Sequence, residues 1–358
     1  LATLATAYEE PDAALVAPEP ESEPEPGIEQ LLEEAASSDL AARARAVEQL
    51  RLLVPSASGM DLLWQIAADP QDRRRLEALQ VLGFHRSWIS SRTRLRRAVE
   101  LLEEETDADV ATTLAWCLRQ RPEVGRFLNH RHAATAVEAA IGLSLNAATI
   151  DRCLGVILGS ANPDVVRVLR DKCRQLHPSL VLKVVERLVA EEVPERPRAE
   201  LLSRLPQVAL FEALFLEPGH AAWDPGQGLK SAESARRWNQ LSQQALDIMR
   251  QGPSVDLVRL VLARSGEDEE FARRHGGFLK EIMRRVHCRD GGTLVKHFER
   301  LTSGASEEKV ARLAQLLVDL STRLDGGPGQ QAAMLLEEWK ERSAVLRLKI
   351  YHMQQGLG

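Results

Sequence analysis

From Ile28 onward the apolar residues of this chain recur every three or four positions, and strand-like alternation is nearly absent. A helix needs that period to turn one face towards a core, so the pattern commits the chain to α-helices. Leu95, Ala98, Val99 and Leu102 mark one stripe; Val310, Leu313, Ala314, Leu317 and Val318 mark a second; Leu40, Val47, Leu50 and Val54 mark a third. Aromatic residues make up 4% of the chain, too few for the strands of a β-sandwich or barrel. No apolar run approaches the roughly 18 residues that a membrane-spanning helix requires. The 358 residues suffice for two or three domains or for one continuous helical array.

Several helix starts can be read directly. Asn162-Pro163-Asp164 offers a capping side chain, a proline where no N–H is needed, and a carboxylate at the positive helix end. Similar openings stand at Ser38-Asp39, Ala68-Asp69-Pro70 and Asp107-Ala108-Asp109, with second helices between them at 59–67 and 92–105 and a weaker unit at 129–145. A recurrence near 30–38 residues with paired helices is the signature of a helical repeat. In Asp69-Pro70 with Arg73, Arg74, Ala78, Leu79, Leu82 and Gly83, and in the looser copies around Asp39, Asp107 and Asn162, the chain resembles the HEAT-repeat family over roughly residues 28–192. The resemblance implies an all-α, right-handed solenoid of stacked helix pairs that serves as a scaffold for other macromolecules. It implies no particular chemistry, no enzyme activity and no cofactor.

Composition divides the rest. Residues 1–34 hold ten acids and no Lys or Arg, whereas the remaining residues carry a net charge of +4. The proline- and glutamate-rich residues 1–27 are expected to form a disordered acidic tail. Leu1 in place of Met leads us to expect a processed product or a piece of a longer chain. Pro194, Pro197 and the stretch 217–230 (EPGHAAWDPGQGLK) place a Pro/Gly-rich connecting segment at 193–230. A C-terminal helical region, 231–358, is expected beyond it. That region ends in one long helix, 330–355, whose Ala332, Leu336, Trp339, Ser343, Leu346, Ile350 and Met353 follow heptad spacing. Leu336, Trp339, Leu346 and Ile350 are its helix-docking seam, for the preceding helix or for self-association.

Cys117, Cys153, Cys173 and Cys288 form no C-x-x-C pair, and the first three sit on apolar helix faces, which points to core packing in a reducing, cytoplasmic setting. No phosphate-cradling, zinc-helix or nucleophile-elbow motif is present. His130 and His132, two apart, would diverge on a helix, and His287-Cys288 lacks a completing ligand, so no metal is expected. His220, Trp223 and Asp224 form a loop group best read as an anchor.

The strongest surface feature is basic. Arg73, Arg74, Arg75, Arg86, Arg92, Arg94, Arg96 and Arg97 leave a charge of +5 over residues 71–100, with Trp88 among them and Trp64 and Trp116 in neighbouring units. Guanidinium forks pair with carboxylate or phosphate, and a nearby indole could stack on a base. The chain nevertheless carries 38 Arg and 8 Lys, so arginine is its habitual cation. The expected function is a non-catalytic scaffold or adaptor whose arginine face meets a protein partner, an acidic segment or its own tail. The alternative is nucleic-acid binding. Its narrower form is a HEAT-like DNA glycosylase gripping a duplex through this face, with Asp107 or Asp109 assisting.

Overall fold

The computed structural model describes residues 27–216, 232–286 and 290–356, with only the backbone described at Arg86, Ser87 and Ala232. The acidic tail, the loop group of His220, Trp223 and Asp224, and His287-Cys288 lie outside these residues. Every described element is helical. The chain divides into two compact units, residues 1–119 and 120–358. The division therefore falls at Arg119–Gln120 and not in the proline-rich stretch after residue 192.

The first unit contains α1 (Ile28–Ala35), α2 (Leu40–Leu52), α3 (Ala57–Ala68), α4 (Arg75–Phe84), α5 (Arg92–Glu104) and α6 (Ala108–Cys117). Asp39 and Asp107 cap α2 and α6 by accepting two backbone N–H bonds each, as their sequence context suggests. The Asp69-Pro70 opening behaves differently. Asp69 closes α3, and α4 begins only at Arg75, after a turn that Asp72 organises by accepting the Arg74 N–H at 2.8 Å. Proline fits a turn after a helix as readily as a helix start, which is why the sequence misplaces this one. The main packing pairs are α1 with α2, α3 with α4, α2 and α6 with α4, and α5 with α6. Ala78, Leu79 and Leu82 of α4 are fully buried at the centre. The α2 stripe is not a stripe in space: Leu50 is buried, while Leu40 and Val54 are more than three-quarters exposed.

The second unit contains α7 (Ala133–Gly142), α8 (Ile150–Gly159), α9 (Pro163–Lys172), α10 (Pro178–Ala190), α11 (Glu195–Leu202), α12 (Gln207–Phe215), α13 (Ala232–Gln251), α14 (Val255–Glu267), α15 (Glu269–Arg285), α16 (Gly291–Thr302), α17 (Glu307–Ser321), α18 (Gly326–Arg342) and α19 (Ala344–Gln354). Asn162 caps α9 as expected. The described part of the 193–230 segment is not a linker, because α11 and α12 occupy it and bury Leu201, Leu202, Leu210 and Phe211. The main packing partners of each helix lie one to three steps along the chain, so the core is built locally. The 310–318 stripe of α17 is buried throughout.

The single terminal helix expected over 330–355 is two helices. Ser343 breaks it with an extended backbone (φ −159°), caps α19 by accepting the Leu346 N–H at 3.2 Å, and donates to Glu307 at 3.0 Å. A serine at a heptad position is a weak seam residue and a strong N-cap, and here the cap prevails.

One device recurs through the second unit. Basic side chains reach back to carbonyls at the C-terminal ends of earlier helices, where no intrahelical donor exists. Lys172 donates to Ile141 and Leu143, Arg237 to Val189 and Ala190, Arg285 to Arg250, Arg312 to Gly266, Arg323 to Met283, and Arg342 to Thr302, all between 2.5 and 3.3 Å. The donor stands 29 to 48 residues after its acceptor. A guanidinium also complements the negative end of the helix dipole. Five arginines and one lysine of the second unit thus join one helix to another.

Candidate interaction surface

The arginine-rich stretch is mostly paired internally. Arg73 meets Glu33 of α1, and Arg94 meets Asp61 of α3. Arg97 pairs with Glu100 at 3.3 Å on its own helix. Arg74 grips both oxygens of Asp72 at 3.0 and 2.7 Å, and those hydrogen bonds hold the Asp72 carboxyl below the usual carboxylate range. Arg92 and Arg96 are exposed on α5 and have no carboxylate within ion-pair distance among the described residues. They lie near the start of a helix whose first turn carries no acid, where cations oppose the dipole.

Two residues expected on this surface are inside the protein. Arg75 is buried: its Nη2 donates to Glu105 Oε2 at 2.6 Å and its Nε to the Ala67 carbonyl at 3.3 Å. Glu105 Oε1 accepts the backbone N–H groups of Thr106 and Asp107, each at 2.9 Å. One ion pair thus joins the end of α3, the start of α4 and the start of α6. Trp88 is 2% exposed and packs on Trp64 with ring centroids 4.9 Å apart, so no base could reach its face. A tryptophan flanked by arginines reads as a contact residue in sequence, but burial of its large apolar surface decides otherwise.

The C-terminal seam is likewise internal. Leu336, Trp339, Leu346 and Ile350 are buried where α18 and α19 pack on each other and on α16 and α17. Met334, Val345, Leu348 and Tyr351 form the exposed apolar side of that hairpin instead.

Sequence reading missed a groove on the first unit. Val47 and Leu50 of α2, Val81 and Phe84 of α4, and Trp116 of α6 enclose a cavity of about 240 Å³ with Glu77 in its wall. Phe84 is half exposed and meets Trp116 nearly edge-on, with centroids 5.2 Å apart and planes at 79°. Gly83 makes this possible. A Cβ there would lie 1.9 Å from Trp116 Cζ3, so only glycine lets the indole cross α4. Glu77 is 7% exposed, and its buried Oε2 accepts no hydrogen bond among the described residues. The available signal was a carboxylate in the run Leu76–Phe84, whose one other polar residue is Gln80, on the buried side of its helix.

His130 and His132 do not diverge as a helix would require. They sit in a bend with rings 5.3 Å apart, and the His132 N–H donates to His130 Nδ1 at 3.2 Å. No group of three or more His, Cys, Asp or Glu side chains with metal-binding geometry occurs among the described residues. Cys117, Cys153 and Cys173 are buried and unbridged, and burial pushes the Cys153 thiol up to about 11 and Cys173 to about 12. No described helix is long and apolar enough to cross a membrane. No protein-family model matches the chain, and no curated protein matches it.

Proposed function

We propose that this chain is a non-catalytic interaction module of HEAT-like helix pairs, presenting a protein-binding surface on its first unit. The observation that carries this reading is the groove lined by α2, α4 and α6. It leaves Phe84 half exposed and Glu77 without a hydrogen bond among the described residues, on a face that the described helices of the unit do not close. The local packing in the second unit and its basic side chains on helix-end carbonyls support a repeat array, in which each helix pair is fastened to the preceding one. The unbridged buried thiols fit a reducing, cytoplasmic compartment.

A protein partner is favoured over nucleic acid. Five of the arginines already hold carboxylates, and Trp88 is buried. Arg92 and Arg96 remain for an acidic segment. Self-association through the last hairpin would use Val345, Leu348 and Tyr351.

Cross-linking capture tests the reading with the intact chain, a Phe84→Leu variant and an Arg92→Glu/Arg96→Glu variant. Discrete partners lost from one variant at unchanged melting temperature are expected. Identical capture by all three would contradict it, as would tight, salt-sensitive binding of duplex DNA by the intact chain.

A further inference from the structure

We infer that the α2–α4–α6 groove receives the methylated ammonium head of an N-methylated lysine carried by a protein partner. Size comes first. A cavity of about 240 Å³ is too small for most drug-sized ligands and suits one long side chain. The walls come next. Phe84 and Trp116 meet at 79° and form an aromatic corner, and ring faces attract cations whose hydration is weak, methylated ammonium above all. Arg51 shows that the Phe84 face accepts a cation, since its guanidinium carbon lies 5.7 Å from the ring centroid. Arg51 is largely exposed and already faces Glu48 at 3.8 Å, so it forms a movable rim and leaves the local negative charge to Glu77.

Glu77 decides the charge of the ligand. Glu77 lines the groove and takes no hydrogen bond from any described residue, so a cation entering the groove meets a carboxylate that no side chain neutralises. Hydration then favours a methylated head over a bare one. A bare ammonium is strongly hydrated and would give up that hydration against a wall in which Val47, Leu50 and Val81 offer no acceptor, whereas N-methyl groups suit both that wall and the ring faces.

The inference rests on the interaction-module reading only in placing the lysine on a protein. Peptide binding tests the groove and cross-linking capture tests the module, so either can fail alone. The test is fluorescence polarisation with the full chain and a labelled, otherwise neutral peptide. The peptide carries dimethyllysine, unmodified lysine, or the uncharged carbon isostere of dimethyllysine. The dimethyllysine peptide should bind about tenfold more tightly than either of the others. Glu77→Gln should abolish that preference while leaving the melting temperature unchanged or higher. Phe84→Leu, at a half-exposed site that tolerates substitution, should weaken binding several-fold. Equal binding of the isostere, no binding of any peptide at millimolar concentration, or a lower melting temperature in Glu77→Gln would each overturn the assignment.

Discussion

The two units differ in how charge fastens their helices. In the second, basic side chains are anchored on the end carbonyls of earlier helices, and the exposed large apolar residues, Ile141 apart, gather on the last hairpin. In the first, one buried Arg75–Glu105 pair joins three helices, while Leu40, Leu52, Val54 and Phe84 face solvent and Glu77 takes no hydrogen bond among the described residues. The contrast teaches that an arginine-rich sequence need not announce a binding face. Here many arginines are fasteners, and the candidate binding face lies where a fastener is missing.

The largest expected effect tests the fastener of the first unit. Glu105→Ala leaves Arg75 buried without a countercharge and releases two backbone donors, so urea unfolding should show a loss of about 3–5 kcal/mol. The double replacement Arg75→Met/Glu105→Leu should lose much less, because an apolar pair carries no desolvation cost. If the single change proved harmless, the contrast between the units would break.

Gly83→Ala should cost about 1–3 kcal/mol despite alanine's better helix propensity, because the added methyl overlaps the Trp116 ring. A shift in tryptophan fluorescence should accompany the loss, and an unchanged or raised stability would show that the indole does not lie across α4.

The ties of the second unit should each be weaker. Arg312→Gln and Arg342→Gln should cost about 1 kcal/mol apiece in urea unfolding and should roughly add in the double variant. Full stability in the double variant would reduce these contacts to surface decoration.

The smallest effect is in pH. Burial lowers the pKa of His275, packed against Phe211, Phe215 and Phe271, and of His297, which contacts the Arg259 carbonyl. A depressed histidine binds its proton more readily when unfolded, so its contribution is complete above the ordinary value of 6.5 and declines as pH falls below it. His275→Gln should flatten the melting-temperature profile between about pH 6.5 and 5. A profile as steep as that of the intact chain would assign the dependence to other groups.

Helix class and three of the four helix openings read from the sequence were legible because they depend on local chemistry: periodic apolar faces, and Asp39, Asp107, Asn162 as caps. The site was much less legible. Whether Arg75 or Arg92 faces solvent depends on which carboxylate arrives from another helix, and Glu105 lies 30 residues from Arg75. Trp88 was misread for the same reason, since its partner Trp64 belongs to α3. Ser343 shows a local signal prevailing over a longer pattern: three heptads suggested continuity where one capping side chain ended the helix. Glu77 was visible as a carboxylate in a mostly apolar run, but its lack of a donor among the described residues appears only once α2 and α6 are in place.

The most direct test sets two buried carboxylates of the same unit side by side. Glu77→Gln and Glu105→Gln are compared in the full chain, each by thermal unfolding and by titration with the dimethyllysine peptide. Glu77→Gln should lose affinity and keep or gain stability, whereas Glu105→Gln should lose stability and, below its melting temperature, keep affinity. If both variants lost stability and neither changed affinity, both carboxylates would be structural, contradicting the assignment of a binding groove to the first unit.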